Sequence, residues 1–235
     1  MADYSLVIGS EAFDNIIKNS DGEVMVDRFL DLMPWNQDEL ENDRITVVVT
    51  YRAPRVKHLL SIWRETKRKN QTFRQWVIKS KNALGAIDSL GLAEIFLKKG
   101  IEVVLADLGG ISAEGYDISN IVACEVLNAT CIDQVQLEGS DPPLIMNTKS
   151  AFNGHVGLDQ EQLDLMDTAM RMYDCKYAEL FTKYQHSNKL RILHDTSLLE
   201  LFKSCEENKK QTMERSTMKS QLVCIAEGKD NCIDR

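Results

Sequence analysis

Residues 47–63 read VVVTYRAPRVKHLLSIW, and the fold turns on how this stretch divides. A run of β-branched residues closing in Tyr51-Arg52 suits a strand. Pro54 marks a break, after which Val56, Leu59, Leu60 and Trp63 recur at the spacing of one helical face. The stretch is therefore a strand, Ile45 to Tyr51, running straight into a helix. Its charge is unusual: Arg52 stands at the strand's mouth, and Arg55, Lys57 and His58 occupy the first turns of the helix. A helix N-terminus is already positive, so cations gathered there cost stability unless an anion joins them. At about 100° per residue, Ser61 falls off the apolar stripe, on the side shared by Lys57, Arg64 and Arg68. It faces outward, or toward a ligand.

Working outward, Leu6 to Ile8 is a short strand candidate, followed by Gly9-Ser10 and a helix beginning at Glu11 with Ser10 as its cap. Residues 18–44 are polar and irregular, with an amphipathic patch near Phe29, Leu30 and Met33. Helices are predicted over Thr72 to Lys81 and Leu84 to Lys99, the second closing in Lys98-Lys99-Gly100. IEVVLADL, Ile101 to Leu108, is a second apolar strand, and a helix is expected from Asp117 to Val126. From Asp159 a long amphipathic helix carries Leu163, Met166, Met170, Tyr173, Tyr177, Leu180 and Phe181. KLRILH, Lys189 to His194, reads as a last strand, and Leu198, Leu199 and Phe202 as a last helix.

Neither the first nor the second long strand alternates, which predicts burial on both faces. Strands alternating with helices give an α/β fold: three layers, a mostly parallel sheet flanked by helices, in one domain over residues 1–202. Residues 203–235 are polar and mixed in charge, and read as a frayed helix or tail. In such sheets ligands bind beyond the carboxyl ends of strands. Gly9-Ser10-Glu11, Arg52 and Asp107-Leu108-Gly109-Gly110 all fall at such ends.

The chain has 235 residues, 43% hydrophobic and 27% charged, the composition of a folded domain. No apolar run reaches about 18 residues, so no membrane-crossing helix is expected, and the N-terminus lacks the basic region of a signal peptide. The net charge of −8 argues against nucleic acid as a partner. Its distribution is uneven: between Arg44 and Lys81 lie eleven basic residues against Glu65 alone. Such an island attracts a small polyanion, and equally forms a solvated face. The six cysteines form no C-x-x-C pair and no His lies at zinc-site spacing from them. They are expected to be free thiols and no metal is expected, with a disulfide among Cys205, Cys224 and Cys232 as the alternative for a secreted chain.

YRAPRVKHLLSIW resembles the 3′-phosphate-binding segment of sulfotransferases, which move a sulfuryl group from 3′-phosphoadenosine 5′-phosphosulfate (PAPS) to a hydroxyl. In that family a strand ends in an arginine, commonly followed by x-Pro, and the next helix presents a serine. The resemblance assigns Arg52 and Ser61 to the nucleotide's 3′-phosphate, nine residues apart where the family usually has eight. LVIGSEAF, Leu6 to Phe13, is similar to the family's preceding strand and helix start. LKKGIEVVLADL, the stretch Ala123 to Leu127 and AMRMYDCKYAELF, Ala169 to Phe181, resemble the carbohydrate-sulfotransferase-like branch found in algae. The likeness is spread over about residues 4–202.

What the resemblance implies is a P-loop-like fold and a transferase using PAPS on a carbohydrate or other hydroxyl, located in the Golgi lumen if a membrane anchor precedes the chain. It also implies an N-terminally incomplete domain, because the family's 5′-phosphosulfate loop has no counterpart before Leu6. Glu11 is the acid nominated for the acceptor side, though a helix-start carboxylate held by the dipole fits the same position. His58 as a base, Asp107 as a hydroxyl ligand and FNGHVG, Phe152 to Gly157, as a closing loop are further candidates, each with an ordinary structural role beside it. The alternative reading is a non-catalytic α/β domain that binds an adenosine phosphate, or contacts an acidic protein through its basic helix.

Overall fold

The computed structural model describes residues 22–32, 45–65, 71–79, 88–108, 122–126, 156–184, 186–193, 196–207 and 213–233. Within them three strands, β1 (Thr46–Tyr51), β2 (Glu102–Asp107) and β3 (Leu190–Leu193), pair in parallel in that order. Val47 stands opposite Val103 and Tyr51 opposite Asp107, while Val103 and Leu105 also face Leu190 and Ile192. Side chains alternate across a sheet, so these residues share one face, and apart from Asp107 all join the main core. Ala106 packs on the opposite face with Val48, Leu108 and Leu193 in a small second cluster.

β2 is central, and every residue after Glu102 is buried, as its unbroken apolar run predicts. β1 departs from that expectation. Thr50 is exposed and Val47 and Val48 are only half-buried. Among the described strands β1 has one neighbour, so its lack of alternation does not translate into two covered faces.

Eight α-helices are described. The patch around Leu30 is part of α1 (Gly22–Leu32), which rests on α4 and is tied there by an ion pair between Asp27 and Lys99. After β1 and a cis Ala53–Pro54 peptide comes α2 (Arg55–Glu65), with Val56, Leu59 and Leu60 buried as its periodicity predicts. Trp63 packs on Phe73 of α3 (Phe73–Lys79), ring centroids 5.8 Å apart. A reciprocal cap between Thr72 and Gln75 starts α3. α4 (Ser89–Lys98) lies against β1 and β2 and takes its cap from Asp88, which accepts from the Gly91 N–H at 3.0 Å.

Of the helix expected over residues 117–126, a π-helical turn, Val122–Val126, is described. α5 (Gln160–Asp174) begins after Asp159 in a capping box with Gln162. A 3₁₀ turn (Cys175–Tyr177), α6 (Ala178–Tyr184) and α7 (Thr196–Glu207) follow.

The C-terminal region is not a tail. Residues after Lys203 complete α7 and then form α8 (Arg215–Glu227), which packs on α5 and α3 with Met218, Leu222, Ile225 and Ala226 buried. Met218, Leu222 and Ile225 follow one helical face, a stripe that the polar composition around it hides. The core therefore extends well beyond residue 202.

The cysteines also differ from expectation. Cys175 bonds Cys205 and Cys224 bonds Cys232, Cys124 is disulfide-bonded as well, and no free thiol is found among the described residues. The Cys224–Cys232 bridge falls within the secreted-chain alternative. The Cys175–Cys205 bridge joins positions 30 residues apart that only tertiary packing brings together. Among the described residues no helix is long and apolar enough to cross a membrane.

Candidate functional site

The basic start of α2 meets two carboxylates of α5. Arg55 is buried, 1% exposed, and its Nε lies 2.9 Å from Oδ2 of the equally buried Asp174. The Tyr51 hydroxyl donates to the same oxygen at 3.1 Å, and the guanidinium of Arg55 sits over the Tyr51 ring, 4.8 Å from its centroid. One residue on, the Val56 N–H donates to Asp167 Oδ1 at 3.0 Å. Much of the anion that this helix N-terminus calls for is thus furnished from within the fold. Burial pushes the Asp174 carboxyl up to about 6, against the opposing pull of Arg55, and the nearby Asp88 acts in the same direction as burial. Its second oxygen, Oδ1, has no hydrogen-bond partner among the described residues.

Arg52 and Ser61 come together. Arg52 Nη1 donates to Ser61 Oγ at 3.3 Å, both side chains half-buried. The spacing of nine is accommodated because α2 begins only at Arg55, which leaves Ser61 in its second turn and within reach of the strand tip. Beside them a cleft of about 420 Å³ opens beyond the carboxyl ends of β1 and β2. Tyr51, Arg52, Ala53, Pro54, Arg55 and Lys57 form one wall; Leu108, Asp167, Arg171, Glu200 and Leu201 complete it. Ser61 lies outside this lining and reaches it only through Arg52. Lys57, Arg171 and Glu200 make no ion pair with any described residue. Asp167 is engaged by α2, so three cations, Arg52, Lys57 and Arg171, are offered to the cleft against the carboxylate of Glu200. An arrangement of this kind binds an oxyanion: the planar guanidinium gives paired donors and the ammonium a point charge.

The other sequence candidates fare differently. His58 has Nδ1 3.4 Å from Arg55 Nη1. Burial, with Arg55 and Arg52 adding repulsion, drives its pKa down to about 3, too low for an effective base near neutral pH. Asp107 is fully buried at the end of β2 and does not line the cleft. Of the stretch Phe152 to Gly157, Val156 and Gly157 are described: the Val156 carbonyl accepts from Arg74 at 3.0 Å, and Gly157 adopts φ 69° against Thr72. Glu11, with the strand and helix start around it, lies outside the described residues.

Missed by the sequence reading are Asp167, Arg171 and Asp174 of α5 and Glu200 and Leu201 of α7, more than a hundred residues from Arg52. One signal was present. Asp174 follows Met166 and Met170 at intervals of four, on the apolar stripe of α5, and a carboxylate on a core face needs a partner. A second buried acid, Asp88, is held by the Tyr177 hydroxyl at 2.7 Å and by that of Tyr173, with Lys176 Nζ 2.7 Å from the Tyr173 oxygen. This network ties the start of α4 to the end of α5 and the turn after it, and none of its residues lines the cleft. No group of His, Cys, Asp and Glu able to hold a metal is found among the described residues.

No protein-family model, characterised protein or solved structure shows significant similarity to the chain.

Proposed function

We propose that this chain is a sulfotransferase-like protein of P-loop-like α/β architecture, with Arg52 and Ser61 receiving the 3′-phosphate of an adenosine nucleotide. The observation that carries the reading is the contact between these two side chains, at a strand tip, beside a cleft with Lys57 and Arg171 uncommitted. On binding, the Ser61 hydroxyl turns from acceptor to donor, and one phosphate replaces the Arg52–Ser61 bond with two charge-assisted ones. In the full reaction the hydroxyl oxygen of a carbohydrate or other acceptor bonds to the sulfur of PAPS. The bond from sulfur to the phosphate oxygen breaks, adenosine 3′,5′-bisphosphate leaves with the electron pair, and the acceptor's hydroxyl proton is released to solvent. Groups for the 5′-phosphosulfate lie outside the residues assigned here, so the assigned half is recognition of the 3′-phosphate. The disulfides support maturation in an oxidising compartment, in keeping with a Golgi lumen location.

Titration with adenosine 3′,5′-bisphosphate in a thermal-shift assay tests the reading. At a hundredfold excess over Kd, mass action adds about 2.7 kcal/mol, a rise on the order of 5–10 °C for a chain of this size. Adenosine 5′-monophosphate, lacking the 3′-phosphate, should give far less, and Arg52→Ala should remove the shift. No shift in the unmodified protein would discard the nucleotide reading. The exposure of Lys57 and Arg64 on α2 and of Lys79 on α3 favours the second reading, a domain whose basic face meets an acidic protein. That reading gains if Lys79→Ala, at an exposed position ending α3, weakens binding of an acidic polypeptide while the nucleotide has no effect.

A further inference from the structure

We propose that the Cys175–Cys205 disulfide is the clamp that sets the width of the cleft, so that its reduction opens the site. Arg171, in the last turn of α5, and Cys175, which opens the 3₁₀ turn after it, stand four residues apart, and Leu201 and Cys205 stand four apart on α7. Both lining residues therefore lie about one turn, roughly 6 Å, from the nearer cysteine. The bridge holds the two backbones at a Cα separation of 5.3 Å. It joins the two walls that face β1 and α2, with Asp167 and Arg171 on one and Glu200 and Leu201 on the other.

α7 also makes apolar contacts: Leu198 and Leu201 are buried, and Phe202 stacks on Phe181 with centroids 5.0 Å apart. Apolar contacts are non-directional and let a helix slide. The covalent link fixes its register to α5. The second bridge, Cys224–Cys232, ties the last turns of α8 to the segment that follows it, and neither of its cysteines lines the cleft.

Cys205 is buried but Cys175 is half-exposed, which gives a small thiolate a line of attack on the Cys175 sulfur. A dithiol reductant attacks there, forms a mixed disulfide, then closes on itself. Its two electrons pass to the bridge, which takes up two protons and becomes two thiols, while the dithiol becomes a disulfide. Released from the turn after α5, α7 carries Glu200 and Leu201 away, and the cleft beside the Arg52–Ser61 seat loses one wall.

The effect on ligand rests on the nucleotide reading above; the effect on α7 does not, and the two are measured separately. Hydrogen exchange over residues 196–207 is compared between the oxidised protein and Cys175→Ser/Cys205→Ser, with residues 89–98 of α4 as internal reference and Cys224→Ser/Cys232→Ser as control. The clamp requires exchange in α7 to rise at least tenfold in the first variant, with α4 unchanged and the control like the parent. The affinity for adenosine 3′,5′-bisphosphate should fall about tenfold alongside. Where the oxidised protein binds no nucleotide, the functional reading fails and the exchange result alone decides the clamp. Equal exchange in α7 with and without the bridge overturns the proposal. So does equal acceleration of α4, which would make the disulfide a staple of the whole fold. Should the double variant not accumulate, dithiothreitol treatment of Cys224→Ser/Cys232→Ser, which already lacks the second bridge, takes its place in the comparison.

Discussion

Asp174 closes α5 with its carboxylate against the guanidinium of Arg55, 2.9 Å away and out of contact with water. Removing one partner of a buried pair strands the other, which costs about 3–5 kcal/mol. Loss of the cation in Arg55→Ala should therefore destabilise the protein by that order, measured by urea unfolding at pH 7. Arg55→Met, which removes the cation but leaves the buried carboxylate, should fold far better at pH 5 than at pH 7.

The two perturbed groups near α2 impose opposite pH slopes. Asp174 has its pKa raised to about 6, so the folded state holds a proton between about pH 4 and 6 that the unfolded chain has released. Its contribution is present at low pH and falls by about 3 kcal/mol as pH rises through that window. The stability difference between the parent and Asp174→Asn should shrink over pH 4–6 and then level. His58 has its pKa lowered to about 3, so the unfolded chain takes up the proton first. Its penalty appears as pH falls below about 6.5, and His58→Gln should make the protein more resistant to acid. A slope difference of the other sign in either variant would contradict the burial argument.

Gly91 sets propensity against packing. Alanine is the better helix former by about 1 kcal/mol. A Cβ at this position would, however, lie 2.7 Å from Asp88 Cγ and 2.7 Å from the Tyr177 hydroxyl, inside the buried network. Overpacking of this kind costs about 1–3 kcal/mol, so Gly91→Ala should destabilise, with the loss read in the melting temperature.

In the cleft, Arg52 and Ser61 should contribute unequally. Loss of the charged donor in Arg52→Ala costs about 1.5–3 kcal/mol of anion affinity, and loss of the neutral one in Ser61→Ala about 0.5–1.5. Calorimetric titration with adenosine 3′,5′-bisphosphate should thus show roughly 10- to 150-fold and 2- to 10-fold weaker binding. Equal losses from both would indicate a diffuse field in place of a seat.

Legibility in the sequence followed the range of the interactions. β1, β2, β3 and the helices from Arg55, Phe73, Ser89 and Gln160 were readable because local period and caps specify them. So was the orientation of Ser61, a matter of helical angle alone. α8 was hidden because its stripe is sparse and its surroundings polar. The pairing of Arg55 with Asp174 and of Cys175 with Cys205 was not readable, since each depends on distant segments meeting in space, α2 with α5 and the 3₁₀ turn with α7. The excess of positive charge at α2 did announce an anion, but not that the chain itself would furnish much of it.

The parallel order β1-β2-β3 has a cost in time. Thr46 meets Glu102 across 56 residues, and Glu102 meets Arg191 across 89. Sheets built from such distant segments have high contact order and close slowly. During synthesis β2 must wait for the last strand to leave the ribosome, its Val103–Ala106 edge unpaired and sticky meanwhile. A nascent chain of this topology keeps that edge open until residue 193 has emerged.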